Sequence, residues 1–141
     1  MHRAWLYASL LFVALALAPA AAHVLQLPNK IGLPSADYLT VQQLYRGWAL
    51  LAIVVVAALV ATAGLLIVRW HAGQPVTAAA LAFLCVAGAQ VVFWVWTQPV
   101  NKETDNWTRL PAAWTALRAQ WEYSHAAGAA LTLLALLALI H

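Results

Sequence analysis

Residues 111–132, PAAWTALRAQWEYSHAAGAALT, carry tryptophan, arginine, glutamate and histidine directly into an apolar run. On a helix of about 100° per residue, Trp114, Arg118, Trp121 and His125 fall on one face, with Glu122 beside them and Gly128 and Thr132 continuing the stripe. Residue types of this kind suit proton transfer near neutral pH, metal or haem ligation, or polar bonding between helices. The other face, with Leu131, Leu134 and Leu137, is aliphatic and suits lipid or packing.

The elements that position these groups follow from composition. Of 141 residues, 65% are hydrophobic and 8% charged, against about 25% charged in an average soluble domain. A water-exposed surface cannot be built from that, so the chain reads as one integral membrane domain. Runs at 4–27, 48–68, 76–97 and 123–140 are long enough to cross about 30 Å of hydrocarbon, and backbone hydrogen bonding in lipid makes all of them helices. The expected fold is all-α, an antiparallel bundle of four transmembrane helices with an interfacial helical extension and a polar cap loop between helices 3 and 4.

The net charge of +3 is spread over short flanks with no basic block, so nucleic acid is not an expected partner. Cys85 is the single cysteine, which excludes an intrachain disulfide or a thiolate cluster and reads as a small packing residue.

Along the chain, the first run reaches Pro19-Ala20-Ala21-Ala22-His23, which also fits a cleavable leader. Its Ser9, Phe12, Ala16, Ala20 and His23 nevertheless share one small and polar face, as expected of a helix that packs in a bundle. Pro28, Gly32 and Pro34 are expected to end it, and Ser35 to cap the next helix with Asp37 in its first turn. A helix running on from 36 to 68 would be about 50 Å long, so its first turns are expected at the interface, where Tyr38, Tyr45 and Trp48 favour that depth. The link 69–75 is chemically quiet. The third span places Gln90, Trp94, Thr97 and Asn101 at near-helical spacing on one face, with Pro99 expected to end or kink it. The stretch QPVNKETDNWTRL, residues 98–110, is the expected cap.

Antiparallel spans bring His23, Gln42, Gln43, Arg46, Gln90, Trp94, Asn101 and the polar face of the last helix to one membrane side. Ionisable groups in a span usually face a bundle interior or a wet cavity, so a pocket open to the lipid interface is expected there. The plain alternatives are specific. His23 and His125 serve equally as interhelical glue or as an axial haem or metal pair, although no HxxxH or ExxH spacing accompanies them. Arg118 and Glu122 are four apart and can form a simple helix ion pair, and Arg46 can snorkel to headgroups. Trp5, Trp48 and Trp70 fit an aromatic belt, whereas Trp94, Trp114 and Trp121 share faces with the polar set as pocket walls.

At AHVLQLPNK (His23, Asn29), VQQLYRGW (Gln42, Gln43, Tyr45, Arg46, Trp48), NWTRLPAAW (Asn106, Trp107, Trp114) and WEYSHA (Trp121, Glu122, His125) the chain resembles the anthrone oxygenase-like family of small four-helix membrane proteins. The resemblance covers essentially the whole chain, implies that the first helix is kept, and implies a bacterial inner membrane. It further implies oxidation of anthrones to anthraquinones with molecular oxygen as co-substrate and no flavin, haem or metal. In that reaction His125 is the expected base, Glu122 or Arg118 orients it or relays the proton, and Arg46 or Gln90 stabilises the developing oxyanion. Trp94, Trp114 and Trp121 hold the flat lipophilic substrate, with His23, Gln43 and Asn101 completing the pocket. Gly128 stands where relatives carry a larger polar residue, which implies a roomier pocket.

Two other classes share these residues: a non-enzymatic membrane module or accessory subunit that binds a lipophilic ligand, and a haem or metal protein using His23 and His125. Lys30, Arg46, Lys102, Arg109 and Arg118 lie at the polar end and Arg3 and Arg69 at the other, so the positive-inside count makes the polar loops cytoplasmic. An AxxxA step at Ala57 and Ala61 permits close helix contact within the bundle or in a homo-oligomer.

Overall fold

The computed structural model describes residues 2–141. Helices α1 (His2–Lys30), α2 (Ser35–Gln42), α3 (Ala52–His71), α4 (Thr77–Val92), α5 (Gln98–Glu103) and α6 (Trp114–Ile140) succeed one another along the chain, with no strand among the described residues. Four stretches are long and apolar enough to cross a membrane: His2–Lys30, Trp48–His71, Thr77–Glu103 and Trp114–Ile140. The first packs on the second and fourth and the third on the same two, which makes an antiparallel square bundle. Its core is made of small and aliphatic side chains, including Val13, Ala58, Leu65, Ala82, Val86 and Ala135. Cys85 is buried among them.

The apolar faces point as the periodicity requires. Leu134 and Leu137 are exposed to the surroundings of the bundle, while Thr132 and Ala129 face inward. On α3 the buried stripe is Ala58, Ala61, Thr62 and Leu65, and Ala57 of the AxxxA step is half-buried beside it. Buried hydroxyls are satisfied locally, Ser9 Oγ donating to the Trp5 carbonyl at 2.8 Å and Thr62 Oγ1 to that of Ala58 at 2.8 Å.

Four expectations fail, each for a backbone reason. The first helix does not stop at Pro28. A proline costs the helix its own N–H, but Ile31 N still donates to the Leu27 carbonyl at 3.0 Å, and the helix continues to Lys30. Ser35 does not cap α2; it is the first helical residue, and Pro34 holds the cap position without a side-chain bond. The interfacial extension is separate from the second span, because Arg46 is extended (ψ 127°) and Gly47 left-handed (φ 88°). Glycine takes that conformation at little steric cost, and it turns the chain between α2 and the membrane. Finally, the third span runs through Pro99 to Glu103 by way of a π-helical turn at Phe93–Thr97.

That π turn alters the register. One extra residue in the turn rotates the faces of α4 by about 100° relative to those of α5. Thr97 faces inward and shares a 2.8 Å hydrogen bond with Ser124 Oγ on α6, whereas Trp94, about 140° round the helix from the buried Ala89, is 64% exposed.

The cap between α5 and α6 is a compact turn. Asp105, Asn106 and Trp107 all have positive φ (47°, 52° and 62°), which is uncommon for residues other than glycine and more so for a bulky one. Thr104 Oγ1 donates to the Val100 carbonyl and accepts from Trp107 N at 3.1 Å. The result drives the Trp107 side chain inward to 2% exposure.

Candidate functional site

The last turns of α1 present His23 and Lys30, seven residues apart and so on one helical face. Lys30 is buried, and its Nζ lies 3.1 Å from Glu122 Oε1, with the two side chains 3% and 0% exposed. Such a pair is costly to desolvate and persists only when further hydrogen bonds hold it. Here Tyr38 Oη donates to the same carboxylate oxygen at 2.9 Å, Lys30 Nζ donates to Tyr45 Oη at 2.8 Å, and Tyr45 Oη donates to Gln26 Oε1. The ammonium also sits 4.8 Å from the Tyr45 ring centre and 5.3 Å from that of Trp121, a favourable placement for a cation. Burial, reinforced by the Glu122 charge, raises the Tyr38 phenol far above its ordinary value and pushes Tyr45 up to about 12.

Beside this network the two imidazoles stack. The rings of His23 and His125 are 4.1 Å apart and inclined by 21°. Trp121 closes on both edge-on, at 4.2 Å from His125 and 5.0 Å from His23, and is fixed by its Nε1 donating to Asn101 Oδ1 at 2.7 Å. Tyr45 and Trp48 cover the remaining side of His23 at 4.5 and 5.5 Å. Several buried polar atoms in this region lack a protein partner: His23 Nδ1, Glu122 Oε2, Gln42 Nε2 and Trp107 Nε1. Buried unpartnered groups are rare in folded chains and call for a water, an ion or a ligand.

Of the expected site residues, His125, His23, Glu122, Trp121 and Asn101 are brought together. Arg118 and Glu122 do not pair. Arg118 Nη1 instead donates to the Leu33 carbonyl at 2.7 Å, and its guanidinium lies over Trp114 at 4.7 Å and Tyr38 at 5.4 Å, clamping the α1–α2 link to α6. Gln43 reaches the cluster's edge, its Nε2 donating to the Leu39 and Trp107 carbonyls at 3.2 Å each. Arg46 is exposed and donates to Gln43 Oε1 at 2.7 Å, so it stands outside the cluster. Gln90, ahead of the π turn, makes no side-chain hydrogen bond among the described residues, and Trp94 faces outward. The expected open pocket is filled by the cluster's own side chains. A cleft of about 440 Å³ with Trp96, Gln120 and Tyr123 in its lining lies instead on the α6 face turned away from His125.

Lys30, Tyr38, Tyr45, Gln26 and Trp107 were not expected as site residues. Lys30 was legible by continuing the His23 face two turns onward, had Pro28 not read as a stop.

The stacked rings are in van der Waals contact, which leaves no gap for a porphyrin between two axial ligands. Among the described residues no three His, Cys, Asp or Glu are grouped to hold a metal ion, and the neighbouring Lys30 ammonium opposes a cation. Comparison of the chain with protein-family models, with curated proteins and with solved structures finds no match.

Proposed function

We propose that this chain is a membrane-embedded oxygenase of the anthrone-oxidising kind, acting on a flat lipophilic aromatic substrate at one face of the bundle. The observation that carries the reading is the His23–His125 stack beside the buried Lys30–Glu122 pair, with His23 Nδ1 and Glu122 Oε2 unpartnered. Imidazole is the side chain whose ordinary pKa suits abstraction of a proton near neutral pH.

In this reading His125 removes one proton from the substrate's acidic methylene, and the resulting carbanion passes one electron to dioxygen. The radical pair combines to a peroxide. Loss of the second methylene proton with cleavage of the O–O bond, the distal oxygen taking up that proton and the one held by His125, then gives the ketone and one water, so all four electrons that reduce the dioxygen come from the methylene carbon. The developing enolate oxygen needs a fixed positive charge in a low-dielectric setting. Lys30 takes that role here in place of Arg46 or Gln90, because its ammonium is buried against Tyr45 and Trp121. Trp121 supplies an aromatic wall, and the setting is a bacterial inner membrane with the polar loops cytoplasmic.

The test is oxygen uptake by the nanodisc-reconstituted protein with anthrone. Wild type should consume one oxygen per anthraquinone formed, and His125→Ala should lose at least about 100-fold; full activity in that variant would overturn the assignment of the base.

A second reading, a binding module without chemistry, is favoured by one observation. Glu122 Oε1, Lys30 and Tyr45 are committed to one another, as in a scaffold. It predicts saturable ligand binding with no oxygen consumed.

A further inference from the structure

The indole of Trp107 is buried at the polar end of the bundle. It meets the Tyr38 ring at 4.9 Å and 79° and the Trp121 ring at 6.2 Å and 83°, and with Val100 these residues form a core cluster separate from the aliphatic one. Yet its placement is poorly supported by polar contacts. Its Nε1 is buried with no acceptor, and Glu122 Oε2, on the carboxylate that Tyr38 bonds, is buried with no donor. The backbone that puts it there is left-handed at three consecutive residues other than glycine, a conformation that costs free energy at each.

The hydrogen bonds of the turn are mostly its own. Thr108 N and Arg109 N return to the Thr104 carbonyl at 3.1 and 3.0 Å, and Asn106 N to that of Asn101 at 2.7 Å. Among the described residues, the hydrogen bond that ties segment 104–110 to anything beyond α5 is Gln43 Nε2 to the Trp107 carbonyl. The turn is thus tied to the bundle beyond α5 by one hydrogen bond and by the packing of Trp107 and Leu110 on the Tyr38–Trp121 cluster, and these are what it gives up when it lifts about its junction with α5.

We infer that Trp107 is an internal plug in a binding slot for a flat aromatic phenol, and that the slot opens when the 104–110 turn swings out. A ligand of that class replaces the indole between Tyr38 and Trp121, and its hydroxyl donates to Glu122 Oε2, which the indole leaves unmatched. Aromatic packing is kept, one unsatisfied acceptor is removed, and backbone strain is released. The inference rests on the reading of this site as one that takes an aromatic substrate, and it names the slot and the residue that guards it.

A protein whose binding-competent form is a minor population binds with an affinity reduced by that fraction. Weakening the closed form should therefore tighten binding. The probe is 2-naphthol, monitored by fluorescence anisotropy in nanodiscs against empty nanodiscs, with naphthalene as the hydroxyl-free control. Trp107→Ala should bind 2-naphthol at least about tenfold tighter than wild type, and Gln43→Ala about fivefold tighter, the worth of one ordinary hydrogen bond. Naphthalene should bind more weakly than 2-naphthol to every form. With 5-fluorotryptophan incorporated, the Trp107 resonance, assigned by its loss in Trp107→Phe, should shift when 2-naphthol is added to wild type.

Unchanged or weaker binding in Gln43→Ala, together with an unmoved Trp107 resonance, would overturn the inference even if Trp107→Ala fails to fold. Oxygen uptake separates the two claims. Tighter phenol binding without oxygen consumption leaves the plug and removes the oxygenase; His125-dependent uptake with no effect of Gln43→Ala does the reverse.

Discussion

Lys30 Nζ and Glu122 Oε1 lie 3.1 Å apart, joining the end of the first transmembrane helix to the last one through an ion pair closed to the surroundings. Both charges sit where a bundle of this composition should avoid them. Tyr38, Tyr45 and Gln26 complete the shell, which ties α2 and the turn after it to the same point. One carboxylate thus organises three separate parts of the chain.

Removing either partner leaves the other charge buried and unpaired, which typically costs about 3–5 kcal/mol. Lys30→Met and Glu122→Gln should each lower stability by that order, read from thermal unfolding in detergent. The double variant Lys30→Met/Glu122→Met should recover most of the loss. A double variant no better than the worse single one would mean that the pair is not the source of the penalty.

The phenols predict an alkaline limit. Tyr45 titrates near 12 in the fold against 10.0 when free, and Tyr38 is shifted in the same direction. Between those values the unfolded chain has released a proton that the folded chain still holds, so stability falls as pH rises. The contribution is fully present below pH 10 and is lost from about pH 10 to 12. Wild type should lose stability over that window more steeply than Tyr45→Phe, and absorbance near 295 nm should show a phenol step close to pH 12 that the variant lacks. Equal slopes for the two proteins would contradict the burial of Tyr45.

Much of the bundle was legible because membrane helices are set by length and apolarity, and those are local properties. The polar face of α6 was equally legible, and it delivers Trp121, Glu122 and His125 to one cluster. What could not be read were backbone events that composition does not mark. The π turn at Phe93–Thr97 carries the third span on through Pro99, and Trp94 faces outward because the Gln90–Trp94 spacing lies off the buried face of α4. Continuation past Pro28 hid Lys30, and the left-handed run at Asp105–Trp107 hid the inward tryptophan. The Arg118–Glu122 spacing misled because Glu122 found stronger partners on other helices.

Two tryptophans, one facing outward within the π turn and one buried on α6, should differ sharply. Trp94 is 64% exposed and Trp121 is 4% exposed with its Nε1 bonded to Asn101. Trp121→Ala should cost about 3–5 kcal/mol, as a buried aromatic deletion does, whereas Trp94→Ala should stay within about 0.5 kcal/mol. Trp121→Phe should retain most of the packing and lose about 1 kcal/mol for the hydrogen bond. If Trp94→Ala proved as damaging as Trp121→Ala, the outward placement of Trp94 would be wrong.

His23 offers the sharpest separation of stability from function. Its ring packs on His125, Trp121, Tyr45 and Trp48, yet Nδ1 is buried without a partner. A side chain kept only for packing would be better as phenylalanine, since burying an unsatisfied polar atom costs about 1–3 kcal/mol. His23→Phe should therefore leave the midpoint of thermal unfolding unchanged or raise it. Groups retained at a cost in stability are those that function requires, so the same variant should lose ligand binding or oxygen uptake by at least about tenfold. A variant both more stable and fully active would reduce His23 to a stacking surface and leave His125 as the one imidazole that matters at this site.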